Sequence, residues 1–598
     1  MTVHVVATAG HVDHGKSTLV RALTGMEPDR WEEERRRGLT IDLGYAWTTL
    51  PSGREVAFVD VPGHERFLGN MLAGLGPAPV VCFVVAVDEG WQAQSSDHRD
   101  AVAALGIEHG VVVLTRADRA PERAGAVLAE ARAQLAGTGL HDAPVVTVSA
   151  VDGTGLADLR AALDGVLARM PAPPAGRLRL WVDRSFTITG SGTVVTGTLA
   201  AGTVAQGDRL QLLGHDGPRE VLVRGLQSRN STHFSLGPVA RVALNLRGVS
   251  AHEVRRGDAL VTPGTWPVTG VLDVRRATGA AFTSAPEHVV VHAGTAAVPA
   301  RLSPFDDDHA RLVLDRPLPL VLGDRLVLRD AGSRSVLGGA QVLDADPPAL
   351  RRRGDRARRA GSLAGMDTGG DVLVEVARRG AVQEQHLRRL GLLSPDDAGV
   401  PDDVRVLGGW WVHAPVLDSW QRRLRAAVEE LHGRDPLAAG LSRGAARDLL
   451  ALPDAGLVDE VVRGAGLEQD GGHIHSPSHR AGLGAAEAAV AELERRLGIE
   501  PFRAPEADAL AALRLGVREL AAAERSGRLL RLRDGVVLLP TAPALAMREL
   551  ARLPQPFTTS QARQALDTTR RVAIPLLEHL DARGWTRRLD AGHRTVAR

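Results

Sequence analysis

The 598-residue chain holds one cysteine, one tyrosine and, among its 72 basic residues, one lysine; aromatic residues make up only 3% of it. A lone cysteine, Cys82, excludes an internal disulfide framework and suits a reducing compartment. It lies in Val80-Val81-Cys82-Phe83-Val84-Val85, which reads as a buried strand and not as the setting of a reactive thiol. No apolar stretch reaches the roughly 20 residues needed to span a bilayer, and no basic region precedes an apolar one at the N-terminus. These absences predict a cytoplasmic protein with no membrane partner. The net charge of +1 gives no bulk polyanion-binding signal. Basic residues do cluster in Arg351-Arg352-Arg353-Gly354-Asp355-Arg356-Ala357-Arg358-Arg359, read as a solvated linker, and in the last 45 residues. With 44% apolar and 24% charged residues, the chain is ordinary globular protein, too long for one core and long enough for roughly three to six domains.

What is present starts with the single lysine. Lys16 sits in Gly10-His11-Val12-Asp13-His14-Gly15-Lys16-Ser17-Thr18, directly after the apolar run Val3–Ala7. This is the phosphate-loop pattern G-x-x-x-x-G-K-[ST] in its context of strand, glycine turn and helix start. A compact ammonium reaches into a ring of backbone groups where a planar guanidinium does not fit. Arg37-Gly38-Leu39-Thr40-Ile41 then offers the hydroxyl of Thr40. Val56–Val59 is an apolar strand that ends in Asp60, followed by Val61-Pro62-Gly63-His64. Ser17, Thr40 and Asp60 are the expected Mg²⁺-organising set. Gly63 leaves its N–H free to approach a γ-phosphate, and His64 is the candidate to orient the attacking water.

Val111–Leu114 leads into Thr115-Arg116-Ala117-Asp118, a departure at two positions from the guanine-reading Asn-Lys-x-Asp. Asp118 can accept from guanine N1–H and the exocyclic amine, donors that adenine lacks. Arg116 can lay its stem along the base as lysine does. Ser149 and Ala150 end another strand with the small residues that back the base. GTP and GDP are thus the expected nucleotides. Lys16→Arg is expected to abolish binding, and Arg116→Lys to be nearly silent.

The chain after the proline-rich Met170–Pro174 turns to short β-rich runs split by glycines, which predicts two small barrels. Gly10–Thr18, Asp60–Glu65 and Phe186–Gly197 resemble a translational GTPase of the elongation factor Tu type. Arg37–Gly44, Val182-Asp183-Arg184, Ala243–Leu246, Leu326–Asp330 and the tail Arg571–Asp581 resemble, more closely, the selenocysteine-specific elongation factors. The resemblance spans nearly the whole chain and is weakest from about Arg351 to Pro540. It implies GTP hydrolysis stimulated by the ribosome, with selenocysteyl-tRNA and an mRNA stem-loop at UGA codons as further partners. It also implies an aminoacyl pocket at Asp183, Arg184 and Arg241. Two guanidiniums would favour a selenolate over neutral serine, and Asp183 would hold the α-ammonium. Read without the resemblance, Asp183 and Arg184 are a pair on a barrel surface.

Past Gly361 a weak repeat appears: helices, a strand, a glycine turn and another strand, with turns at Gly408-Gly409, Gly471-Gly472, Asp534-Gly535 and Ala591-Gly592. Helices followed by a hairpin describe a winged helix. In the last unit Val572, Leu576, Leu577 and Leu580 form an apolar stripe, with Pro575 as a kink. Arg570, Arg571, Arg587, Arg588, His593 and Arg594 are expected to share a phosphate-binding face. His473 and His475 lack further ligands nearby and do not read as a zinc site.

The expected architecture is an α/β phosphate-loop GTPase domain (1–172), β-barrels at 176–265 and 266–350, and winged helices at 365–417, 418–478, 480–542 and 545–598, in a monomer. Two other readings stay open on the residues alone. One is a general tRNA-delivering translational GTPase; the other is a nucleotide-gated winged-helix DNA-binding regulator.

Overall fold

The computed structural model describes residues 3–28, 40–171, 176–333, 335–393, 399–435, 437–477 and 483–597. Arg37-Gly38-Leu39 and most of the proline-rich linker lie outside them. The chain divides into two compact bodies, Met1–Glu375 with Gln383–Gly399, and Val376–Val382 with Val400–Arg598.

The first body begins with a six-stranded sheet in the order β2-β3-β1-β4-β5-β6, where β1 is Val3–Ala9, β2 Gly44–Thr49, β3 Glu55–Asp60, β4 Val80–Ala86, β5 His109–Thr115 and β6 Val145–Thr147. Only β2 runs antiparallel, to β3. Every residue of β4 is buried, as expected of a strand covered on both faces. Strand alternation sorts the core into two layers. Val5 and Ala7 face Met71, Leu72, Leu75, Val102, Val127 and Leu135. Val6, Phe58, Val84 and Val113 face Leu19, Leu23, Leu159 and Leu163. The C-terminal ends of β1, β3 and β5 therefore open onto one edge, where ligands bind in such sheets.

Two barrels follow. In the first, strands within 179–261 close through pairing of Arg209–Gly214 with Gly217–Ser228, around Leu180, Val195, Val223, Leu244 and Leu260. The second is a closed six-stranded barrel within 269–344. Helix Ala93–Leu105 of the first domain packs on it so closely that a Cβ on Gly339 would lie 2.6 Å from the carbonyl oxygen of Ala104. The Asp355–Ala364 helix is anchored by Arg359, whose buried guanidinium bridges Asp273 and Asp344 at 2.7 and 2.6 Å.

Among the described residues four small sheets succeed one another from Ala381 to Val596, each beside helices. In the last, helices Thr559–Ala565 and Arg570–Ala582 precede the hairpin Thr586–Arg588 and His593–Val596. One apolar core runs from Leu483 to Leu580, so the final two units are packed as one piece. Among the described residues no helix is long and apolar enough to cross a membrane.

Candidate functional site

The loop between β1 and the helix Lys16–Thr24 is shaped by its glycines. Gly10 has φ of 130°, and a Cβ there would meet the Val84 carbonyl oxygen at 2.1 Å. The loop is also held from outside. The N–H of Gly10 donates to Nδ1 of His98 at 3.0 Å, that of Val12 to Gln94 at 3.1 Å, and Thr115 Oγ1 donates to the carbonyl of His14 at 2.7 Å. Lys16 Nζ donates to the carbonyls of Gly10 and His11 at 2.9 and 2.7 Å, which leaves one of its three protons for a ligand. Burial pushes its pKa down to about 8, against the pull of Asp60 and Asp13. A Cβ on Gly63 would lie 2.5 Å from that Nζ. The cradle thus admits an ammonium and a backbone, and little more.

A cavity of about 570 Å³ opens over this loop, lined by Val12, Asp13, Gly15, Lys16, Ser17 and Thr18, with Thr40, Gly63, Thr115, Arg116, Asp118 and Ala150 also on its walls. Gly10, His11, His14, Asp60 and Ser149 are not among the lining residues. Ser17 Oγ donates to Asp60 Oδ2 at 2.6 Å and lies 3.0 Å from Thr40 Oγ1. Thr8, absent from the sequence-based set, steadies the other carboxylate oxygen at 2.8 Å. Burial raises the pKa of Asp60, opposed by the Ser17 hydroxyl and Lys16. Three oxygens converging at an acidic, buried point fit a hard cation. Burial lowers His14 to about 3, so its 3.7 Å approach to Glu89 is not an ion pair near neutrality.

Three predicted residues differ in setting from the sequence reading. Thr115 spends its hydroxyl on the phosphate loop. Arg116, at φ 56°, pairs with Asp88 and Glu89 at 3.1 and 2.5 Å and donates to the carbonyl of Asp13. It therefore fastens the loop as well as flanking the base position. His64 caps the short turn Glu65–Phe67, its Nδ1 accepting from the N–H of Arg66 at 3.2 Å, and is not among the residues lining the cavity.

The predicted aminoacyl residues meet where the first barrel faces the GTPase domain. Arg241 grips Asp183 with both terminal nitrogens, NH2 at 2.9 Å, and Thr196 donates to the same carboxylate at 2.7 Å. Arg184 donates to Asp42 at 3.1 Å and to the carbonyl of Leu43. Both guanidiniums stack on Tyr45, at 5.0 and 3.7 Å from its ring centre. Arg256 completes the cluster, reaching Asp42 and Asn70 at 2.6 Å each. Sequence reasoning missed Asp42, Tyr45 and Arg256, although Tyr45 is the only tyrosine in the chain.

In the last unit Arg570, Arg587, Arg588 and His593 are exposed, beside Ile574, Trp585 and Leu589. His593 is paired with Asp590 at 3.1 Å. Arg594 is not on that face. It is 6% exposed, bound to Asp581 at 2.8 Å and to Thr559. Arg571 is half-buried and donates to the carbonyls of Ala504 and Pro505. Both are structural in this arrangement.

Known proteins give the same outline. Residues 1–169 match the elongation factor Tu GTP binding domain, 274–349 the β-barrel domain of the selenocysteine-specific elongation factor, and 548–595 the winged helix of elongation factor SelB. The selenocysteine-specific elongation factor of Escherichia coli (strain K12) is 34% identical over 98% of both chains. That of Desulfomicrobium baculatum is 30% identical over 98% of both. A crystal structure of bacterial selenocysteine-specific elongation factor EF-Sec covers the whole of both chains with a TM-score of 0.77 at 27% identity. With a GTPase domain, two barrels and a winged-helix tail, the chain belongs to the selenocysteine-specific elongation factors, translation factors that hydrolyse GTP.

Proposed function

We propose that this cytoplasmic factor holds GTP and Mg²⁺ in the cavity over Lys16, carries selenocysteyl-tRNA, and delivers it to the ribosome at UGA codons marked by an mRNA stem-loop. Lys16 Nζ and the loop N–H groups hold the phosphates. Ser17, Thr40 and Asp60 hold the cation, which supplies charge neutralisation at the β- and γ-phosphates when bound. Asp118 reads the guanine edge at the rim. His64 is the water-orienting residue. Its Nδ1 is engaged in its own turn, so Nε2 carries the proton and the ring must swing before it serves the γ-phosphate. Intrinsic hydrolysis is accordingly slow, and the ribosome completes the site.

One observation carries the cargo assignment: two arginines, Arg184 and Arg241, gather on one tyrosine ring, 5.0 and 3.7 Å from its centre, beside Asp183. A selenol is more acidic than a thiol, whose reference pKa is about 8.5, and is ionised near neutrality. A guanidinium pair favours that anion over a neutral serine hydroxyl. Asp183 reaches an α-ammonium only by sharing its grip on Arg241. For the tail, Arg570, Arg587, Arg588 and His593 would meet phosphates while Trp585 stacks on a looped base. Affinity for selenocysteyl-tRNA against its seryl-tRNA precursor tests the reading, in the native protein and in Arg184→Ala and Arg241→Ala. Selenocysteyl-tRNA is expected to bind at least about tenfold tighter, an advantage lost in both variants. Equal affinity in the native protein overturns it.

A further inference from the structure

The segment Thr40–Tyr45 touches both sites. Thr40 Oγ1 lies 3.0 Å from Ser17 Oγ at the phosphate end. The carbonyl of Ile41 accepts from Asn70 Nδ2 at 2.9 Å, and Asn70 Oδ1 in turn accepts from Arg256 at 2.6 Å. Asp42 spans Arg184 and Arg256, one carboxylate oxygen to each, at 3.1 and 2.6 Å. Leu43 gives its carbonyl to Arg184, and Tyr45 lies under Arg184 and Arg241. From Thr40 to Asp42 is two residues, a span of about 7 Å at full extension. Only Ile41 separates the residue at the phosphate end from the one that holds Arg184.

The aminoacyl end is also incompletely satisfied. Among the described residues Arg184 Nε and the Tyr45 hydroxyl are buried without a hydrogen-bond partner. A buried donor left unpaired is costly, so an acceptor that enters this cluster gains what the protein alone does not supply. Whether Nε points to that acceptor depends on where Arg184 is held, and Asp42 with Leu43 holds it.

We propose that Asp42 is a positioning residue that transmits the state of the phosphate site to the aminoacyl pocket. It orients Arg184 when the Thr40 segment is docked and releases it when the segment leaves. The inference rests on the pocket assignment made above. By linkage, a nucleotide that favours the docked segment raises affinity for the aminoacyl group, and the aminoacyl-tRNA tightens that nucleotide by the same factor.

The test uses full-length protein and selenocysteyl-tRNA, with dissociation constants measured in a non-hydrolysable GTP analogue and in GDP. The native protein is expected to prefer the GTP form. Asp42→Asn is expected to reduce that preference by about tenfold, with nucleotide affinity in the absence of tRNA held within about threefold. Asp42→Glu, which keeps the charge, is expected to restore part of the preference. Arg256→Gln, which removes the far side of the bridge and leaves both pocket arginines, is expected to imitate Asp42→Asn. An unchanged preference in Asp42→Asn overturns the inference. So does a loss of nucleotide affinity without tRNA as large as the loss of tRNA affinity, and so does a native protein indifferent to nucleotide. Arg184→Ala separates the two claims. If it binds selenocysteyl-tRNA normally, the pocket assignment itself fails; if it binds weakly while Asp42→Asn keeps its preference, only the coupling fails.

Discussion

Lys16→Arg keeps the charge and changes only its shape, so it isolates what the cradle selects. Lys16 is 6% exposed, with Nζ fixed by two carbonyls at 2.9 and 2.7 Å and Gly63 pressed against it. A guanidinium places three nitrogens in a plane where one tetrahedral ammonium now fits, and it cannot point one donor at each carbonyl and a third at a phosphate. A hydrogen bond to a charged group is worth about 1.5–3 kcal/mol. Loss of two of the three amounts to roughly 3–6 kcal/mol, or about 10²–10⁴-fold in affinity. Equilibrium titration with fluorescent GDP and GTP, in Mg²⁺, reads this directly. Lys16→Met, which keeps the stem and removes the charge, is expected to lose at least as much. Thermal melting of both variants separates a ligand-binding loss from an unfolded domain. Lys16→Arg binding GTP within about tenfold of the native protein, or a loss confined to Lys16→Met, would refute the shape argument.

Other positions yield smaller effects. Arg116→Lys keeps a charge but not the fork that joins Asp88, Glu89 and the Asp13 carbonyl, so GDP release measured by stopped flow should quicken by about 5- to 15-fold, from a loss of about 1–1.5 kcal/mol; unchanged release restores the silent exchange expected from the sequence. Thr115→Val removes the tether to His14 and should weaken GDP by about fivefold, the worth of one ordinary hydrogen bond near 1 kcal/mol. Burial lowers His14 and His292 to about 3, whereas an unfolded histidine titrates near 6.5. The unfolded chain therefore takes up the protons first, and the stability present above pH 6.5 is lost on acidification, by about 2 kcal/mol per ring at pH 5. Urea midpoints from pH 7 to 5 should fall less steeply in His292→Leu, and parallel curves would exclude the effect. Arg587→Ala should reduce the salt slope of hairpin RNA binding by about 0.7–0.9, as loss of one phosphate contact does. Arg594→Ala should instead lower the melting point of the tail, since it leaves the Asp581 carboxylate with only the Thr586 hydroxyl, at a cost of about 1.5–3 kcal/mol.

Local spacing made the nucleotide site legible. Gly10 to Thr18, Asp60 to His64 and Thr115 to Asp118 are short runs whose chemistry depends on neighbours in sequence, and β1, β3 and β5 deliver them to one sheet edge. What stayed hidden depends on partners far apart in the chain. Asp42 meets Arg184 and Arg256 across 142 and 214 residues, and no periodicity announces an ion pair of that span. Arg116 looked like a base-stacking residue because Asp88 and Glu89 follow a different strand, β4. Arg594 was legible in principle. Neighbouring residues of a strand point to opposite faces, so His593 and Arg594 cannot share one. With His593 exposed, Arg594 turns inward to Asp581.

The use of arginine almost everywhere follows the same geometry. Arg179 holds Asp324 through two parallel bonds of 2.6 and 2.8 Å, Arg311 holds Asp273 likewise, and Arg241 grips Asp183. Each is a fork against a carboxylate, a match that an ammonium cannot make. The phosphate loop asks the reverse: it presents separate carbonyl oxygens around a small centre and offers no carboxylate plane. The chain's single lysine stands at such a centre. Arg116, one of the two departures from the usual guanine pattern, is then the one where a fork has something to hold. Its partners Asp88 and Glu89 follow β4, so the arginine at 116 and the acids at 88 and 89 form one functional unit. Substitution at 116 should be compensated by substitution at 88 or 89, and not by any change in the phosphate loop.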